Sequence, residues 1–150
     1  MMPLDATRLP DPERHAEFYA NVTTKRALAW VVDTVLIGTL CVIIVVLSAF
    51  TALFVLPALY LSIGFVYRWV SLTRNSATPG MALVSVVFLN RGGERLDAPT
   101  AFLHTLGTTL SFAFVFPQIL SVAMMLIGSR GQGLTDAVLG TVLINRAAET

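Results

Sequence analysis

The sequence is poor in charged residues, which make up 13% of its 150 positions. A typical soluble domain carries roughly 25%. Hydrophobic residues account for 55% of the chain, more than a soluble fold of this size needs for its core. The composition therefore indicates a small integral membrane protein, and the lipid bilayer is its expected partner.

The sequence lacks the residues that several kinds of functional site require. Cys41 is the single cysteine, so the chain cannot form an intrachain disulfide or a cysteine-rich metal site, and a small buried side chain is its expected role. No basic block alternates with aromatic residues, as nucleic-acid binders require. There is also no nucleophile elbow, no cluster of metal ligands and no glycine-rich phosphate loop followed by lysine. We therefore expect no enzyme, no metal, no cofactor and no nucleic-acid partner.

Two long apolar segments follow a polar N-terminus. Residues 1–20 form a polar segment that could contain an interfacial helix starting near Asp11. The segment at 24–49 predicts a spanning helix, because about 20 apolar residues cross a hydrocarbon core of roughly 30 Å. The segment at 51–73 predicts a second, and the connection is so short that the two must form an antiparallel hairpin. Pro57 would either kink the second helix or mark its true start.

The rest of the chain comprises a loop, a third apolar segment and a tail. Residues 74–98 predict a loop with a short strand, because 84–89 is β-branched and a glycine-rich turn follows. Residues 99–128 are apolar, and Pro117 near their middle predicts either one tilted, kinked helix or two shorter helices bent into a hairpin. The tail, 129–150, contains another β-branched run that could pair with the first if both lie on one side of the membrane.

The positions of lysine and arginine predict the orientation. They fall before or at the start of the first apolar segment, near the end of the second or after it, and in the tail, whereas the loop near Phe50 has none. By the positive-inside rule, the N-terminus and the middle loop are cytoplasmic. The tail arginines favour the same side, which requires the third segment to fold back, and a plain three-crossing bundle is the alternative. The predicted fold is an all-α membrane protein: a helical hairpin, a long proline-interrupted third segment and a small β element at the cytoplasmic face.

Three short motifs occur in order along the chain. The first has an arginine at the mouth of the first apolar segment and an aspartate seven residues into it, the second is a Thr-Pro-Gly turn before a valine-rich run, and the third is an Arg-x-x-Gly-Leu-x-Asp sequence followed by Gly-Thr-Val. Together, across residues 20–146, they resemble the RDD family of bacterial integral membrane proteins. The residues that carry the motifs are Arg26, Ala29, Asp33, Pro79, Gly80, Arg130, Asp136, Gly140 and Thr141.

The resemblance implies one RDD-type domain over 1–150, located in the bacterial inner membrane as a multi-pass protein. Transport of a ligand has been proposed for the family, and cation/proton antiport has been linked to some members. We expect a contribution to transport of an ion or small ligand through a charged cluster of Arg26, Asp33 and Asp136. So few helices can hardly enclose a pathway, so this function would need a homo-oligomer. The alternative is a non-catalytic accessory or assembly subunit of a larger membrane complex.

The charged residues have competing interpretations. Arg26 and Asp33 share a helix face about 10 Å apart. Asp33 could meet Arg26 through water or meet a polar group of another segment. Alternatively, it is protonated or hydrogen-bonded and only fixes helix packing. Asp136 could cap a short helix, or close a charged cluster with Arg26 or Arg130. His104 could relay protons, although a lone histidine in an apolar helix is more often hydrogen-bonded to a nearby backbone or hydroxyl group.

Overall fold

The computed structural model describes residues 8–146 and confirms the predicted fold class. Helices dominate the described chain, and a two-stranded antiparallel sheet closes one end of the bundle. The elements in order are α1 (Val22–Leu47), α2 (Leu56–Asn75), α3 (Pro79–Leu83), β1 (Val86–Leu89), α4 (Ala98–Ala113), α5 (Val115–Ile127), α6 (Leu134–Leu139) and β2 (Val142–Asn145).

Helix α1 is the longest element and carries one narrow buried stripe. The buried residues of this helix recur mostly every four positions, as expected for one face of a helix: Val22, Ala29, Asp33, Ile37, Cys41 and Val45. The rest of the helix is largely exposed and apolar, which suits a surface facing lipid rather than water. The only charge on this stripe that is nearly fully buried is Asp33.

The first two helices form the predicted hairpin, with one refinement at its tip. Ala49 and Phe50 adopt positive φ angles, and a single 3₁₀ turn at Thr51–Val55 precedes α2. Pro57 lies in the first turn of α2, where the missing N–H would have had no partner inside the helix. The proline therefore marks the true start of the second helix and does not kink it.

The third apolar segment is two helices, not one. The axes of α4 and α5 differ by 115° at a break around Phe114. Pro117 is the third residue of α5, so it again belongs to a helix start, where its lack of an N–H is tolerated. Among the described residues, two helices are long and apolar enough to cross a membrane, or three if this bent pair counts as one span.

The two strands pair with each other and so connect the middle loop to the tail in one sheet. Val86 pairs with Asn145 and Leu89 with Val142 in antiparallel register. Because side chains alternate along a strand, one face of the sheet packs among α1, α2 and α4, while the other packs on Leu9 and Tyr19. The tail therefore lies at the same end of the bundle as the middle loop.

The N-terminal segment contains less helix than the sequence suggested. Within residues 8–20, the only helical element is one 3₁₀ turn at Ala16–Phe18. Asp11 does begin a turn, because its carboxylate accepts a hydrogen bond from the Glu13 N–H at 2.8 Å. The interfacial helix predicted from Asp11 is replaced by these short turns, and the start of the 1–20 segment lies outside the described residues.

Candidate functional site

Three charged or titratable side chains from three helices meet beside the sheet. Arg26 of α1 donates from Nη1 to Oδ2 of Asp136 in α6 at 2.8 Å. His104 of α4 lies 2.7 Å from Oδ1 of the same carboxylate. From here on, the charged cluster means Arg26, His104 and Asp136, because His104 occupies the place in the cluster that was predicted for Asp33. The side chain of Asp136 is 1% exposed and that of Arg26 is 15% exposed, so the pair lies largely out of reach of solvent.

Local structure around α6 explains why Asp136 points inward. Asp136 is the third residue of α6, and its Oδ2 accepts the N–H of Gly133, the residue that caps the helix, at 3.0 Å. Thr141 donates to Oδ1 at 3.1 Å. Gly140 ends the helix at φ +72, a left-handed conformation that glycine adopts without strain, and so returns the chain to β2. The carboxylate therefore both caps α6 and anchors the tail.

Electrostatics keep this buried carboxylate ionised. Burial alone would raise the pKa of Asp136, but the Arg26 guanidinium and the hydrogen bonds from His104 and the Gly133 N–H outweigh it. The pKa therefore lies well below its usual range. Because an ionised carboxylate can only accept, His104 must carry a proton on Nε2. The His104 ring also packs against Phe88 of β1, with centroids 4.5 Å apart.

Asp33 lies in a second buried site, separate from the charged cluster. Its carboxylate accepts from the Tyr67 hydroxyl at 2.7 Å, from the Thr78 hydroxyl at 2.5 Å and from the Gly80 N–H at 2.9 Å. Within residues 8–146, no cation lies within 4 Å of it and it does not reach Arg26. Of the arrangements considered from the sequence, the structure therefore shows hydrogen bonding to other segments.

The Thr-Pro-Gly turn is shaped to reach Asp33. Thr78 also caps α3, and Pro79 occupies the first turn of that helix. A Cβ on Gly80 would lie 2.3 Å from the carbonyl oxygen of Ala29, which is too close for any side chain. Ala29 is itself 1% exposed, so α3 packs directly on the backbone of α1. These contacts explain why the second motif needs threonine and glycine.

Arg130 lies at the same end of the bundle but outside the cluster. Within the described chain, the cationic groups within 4 Å of Asp136 are Arg26 and His104. Arg130 instead faces Tyr19, whose pKa burial raises and the nearby guanidinium partly lowers. The pairing of Asp136 with Arg26 is therefore the arrangement that the structure contains.

A cavity of about 380 Å³ opens between α1, α2, α4, α5 and α6. All three members of the charged cluster line it, as does Asp33. So does Arg68 of α2, whose guanidinium carbon lies 5.8 Å from the centre of the Phe112 ring. Aromatic and arginine side chains near the end of an apolar run, as Tyr67 and Arg68 are, commonly lie at the membrane surface. The structure gives both of them partners inside the bundle instead.

Comparison with known proteins gives one result. A family model described as the RDD family matches residues 20–140, which is more than half of the chain. No curated protein and no solved structure is significantly similar. The matched range contains the charged cluster, Asp33 and the whole Thr-Pro-Gly turn.

Proposed function

The chain belongs to the RDD family, and we propose that it contributes to transport of an ion or small ligand across the bacterial inner membrane. The observation that carries this proposal is the cavity beside the charged cluster. Ionisable side chains among apolar helices are costly and often mark a pathway for ions or ligands. A volume of about 380 Å³ lies within the range of about 300–1,000 Å³ that small ligands occupy.

The two carboxylates of the site are already hydrogen-bonded, so they stabilise the walls of the cavity and do not form an open binding site for a cation. Asp33 already accepts three hydrogen bonds, and Asp136 accepts from Arg26, His104, Thr141 and a backbone N–H. Asp33 thereby holds α2 and α3 against α1, and Asp136 holds α6 against α1 and α4. In this proposal, the two aspartates fix the walls and leave the guanidinium groups to meet the ligand.

One chain offers only part of a pathway. The α1 residues that line the cavity run from Thr23 to Asp33, which is about 15 Å along the helix, or roughly half of a 30 Å hydrocarbon core. Helix α5, with 13 residues, is about 20 Å long and too short to cross alone. The proposed transporter is therefore a homo-oligomer, with the N-terminus and the sheet on the cytoplasmic side by the positive-inside rule.

Proteoliposomes loaded with a pH-sensitive dye, and in parallel with a dye sensitive to membrane potential, test the proposal. Gradients of sodium, potassium, chloride and phosphate are imposed in turn, and flux is compared between the unmodified protein and Ala27→Phe. Ala27 lines the cavity, so the larger side chain should fill it and abolish the flux. Ala58→Phe, at an exposed position of α2 away from the cavity, is the matched control and should keep it.

The oligomeric state supplies the second half of the test. Purification in mild detergent with mass analysis should give a homo-oligomer. A protein that moves none of these ions and copurifies reproducibly with one larger complex would contradict transport and support the accessory role.

A further inference from the structure

The geometry points to the class of ligand: we propose that the cavity binds an amphipathic anion, whose phosphate or carboxylate group is held by Arg68 and by the free edge of Arg26. This inference rests on the proposed function, because it names the substrate class of the same cavity. It assigns to Arg68 a binding role that lies outside the three family motifs.

Among the described residues that line the cavity, the buried side-chain atoms without a hydrogen-bond partner belong to Arg26 and are donors. Nε and Nη2 of Arg26 are buried without a hydrogen-bond partner, because its ion pair with Asp136 uses only Nη1. In residues 8–146, Arg68 forms no ion pair within 4 Å and no hydrogen bond; its guanidinium lies over the Phe112 ring, and the Asp33 carboxylate acts on its charge from a longer distance. A buried donor without an acceptor costs free energy. A ligand that brings acceptor oxygens would remove that cost.

The two carboxylates that line the same cavity are already occupied. Asp33 and Asp136 each receive at least three donors, so a metal cation would have to displace protein groups in order to bind either carboxylate. An anion can pair with the guanidinium groups without breaking a hydrogen bond to either carboxylate. Planar guanidinium groups also match the oxygens of phosphate and carboxylate in geometry. The chemistry of the wall therefore favours an anion over a cation.

The rest of the cavity wall is largely apolar and favours a ligand that carries an apolar group. Trp30 and Phe112 line the cavity and lie almost parallel, with ring centroids 6.2 Å apart and an interplanar angle of 9°. Val122 and Met125 extend this surface, while Ser111 contributes a hydroxyl. A bare inorganic anion would leave the cavity-facing surface of these rings uncovered. A short apolar group attached to the anion would cover them, and that apolar contact adds affinity.

The anionic group could belong to a membrane lipid or to a soluble amphiphile, and the test separates them. Octyl phosphate is titrated into the protein in nanodiscs of phosphatidylcholine, and binding is followed by tryptophan fluorescence. The titration is repeated in nanodiscs that also contain phosphatidylglycerol. A weaker apparent affinity there supports the proposal with a lipid headgroup as the occupant, and an unchanged affinity supports it with a soluble amphiphile.

Arg68→Gln is the decisive variant. It should weaken octyl phosphate binding about tenfold or more, which corresponds to about 1.4 kcal/mol, while Arg68→Lys keeps part of the affinity. Arg74→Gln is the matched control, because Arg74 is exposed at the end of the same helix and away from the cavity. Ala27→Phe should abolish binding with every charge in place, so the test survives if Arg68→Gln fails to fold.

Two results would overturn the inference. Equal affinity of Arg68→Gln and the unmodified protein would remove Arg68 from the site, and equal binding of octanol would show that the charge is irrelevant. Ion flux without octyl phosphate binding would overturn this inference and leave the transport proposal standing. Binding of octyl phosphate without flux of the tested ions or of octyl phosphate itself would overturn the transport proposal and leave this inference standing.

Discussion

Replacing Asp136 with asparagine should strongly destabilise the fold, because it neutralises one partner of a buried ion pair. The substitution keeps the shape of the side chain and removes the charge that Arg26 meets at 2.8 Å. The asparagine amide would also present N–H groups toward one pair of existing donors, either Arg26 and the Gly133 N–H or His104 and Thr141. Breaking a buried ion pair by neutralising one partner typically costs about 3–5 kcal/mol.

Thermal unfolding in detergent, followed by tryptophan fluorescence, measures this cost. For a protein of this size, about 1 kcal/mol shifts Tm by roughly 2–4 °C, so Asp136→Asn should lower Tm by about 6–20 °C. Glu94→Gln, which removes a carboxylate at an exposed position, is the control and should stay within about 0.5 kcal/mol of the unmodified protein.

A double-mutant cycle with Arg26→Gln identifies the cause of the loss. If the ion pair carries it, the two changes together should cost less than their sum, by about 0.5–3 kcal/mol. Strictly additive effects, or a Tm for Asp136→Asn equal to that of the control, would refute the claim that Arg26 and Asp136 hold α1 and α6 together.

Three further predictions follow from single features of the structure. The folded-state pKa of Asp136 is lowered, so its stabilisation is complete above the unfolded value of about 3.9 and is lost as pH falls further. The Tm of the unmodified protein should therefore drop more steeply below about pH 4 than that of Asp136→Asn. Gly80→Ala should disrupt folding, because the new Cβ would meet the α1 backbone, whereas Gly38→Ala, with nothing within 4 Å, should be neutral or gain up to about 1 kcal/mol. In a chain otherwise free of cysteine, Val87→Cys with Ile144→Cys should form an intramolecular disulfide on oxidation, because the two are cross-strand partners. Failure to form that disulfide would contradict the strand register.

Local patterns in the sequence predicted most of the fold. The apolar runs locate α1 and α2 to within a few residues, except that the 3₁₀ turn delays the start of α2 to Leu56. The two β-branched runs predicted the strands of the sheet. The sequence did not decide whether the third segment is one kinked helix or two helices, because a proline inside an apolar run is equally compatible with a kink and with a new helix start. The pairing of β1 with β2 resolves it, since the tail must return to the middle loop.

The partners of the charged residues were harder to predict. Resemblance to the family suggested that Arg26 and Asp136 meet, although they lie far apart in sequence. Asp33 bonds to Tyr67, 34 residues away, and to Thr78, 45 residues away. Helical periodicity does not report which helices face each other, so it could not supply these pairs. Arg68 was missed because an arginine near the end of an apolar run usually reaches water.

The side of the membrane on which each loop lies tests the central claim most directly, namely that the third segment folds back and brings Asp136 to Arg26 beside the cavity. Single cysteines at the exposed positions Arg14, Thr51, Glu94 and Ser129, in a Cys41→Ser background, are treated in spheroplasts with a membrane-impermeant maleimide. Thr51→Cys should react in intact spheroplasts, and the other three only after permeabilisation. Labelling of Ser129→Cys from the same side as Thr51→Cys would contradict the claim.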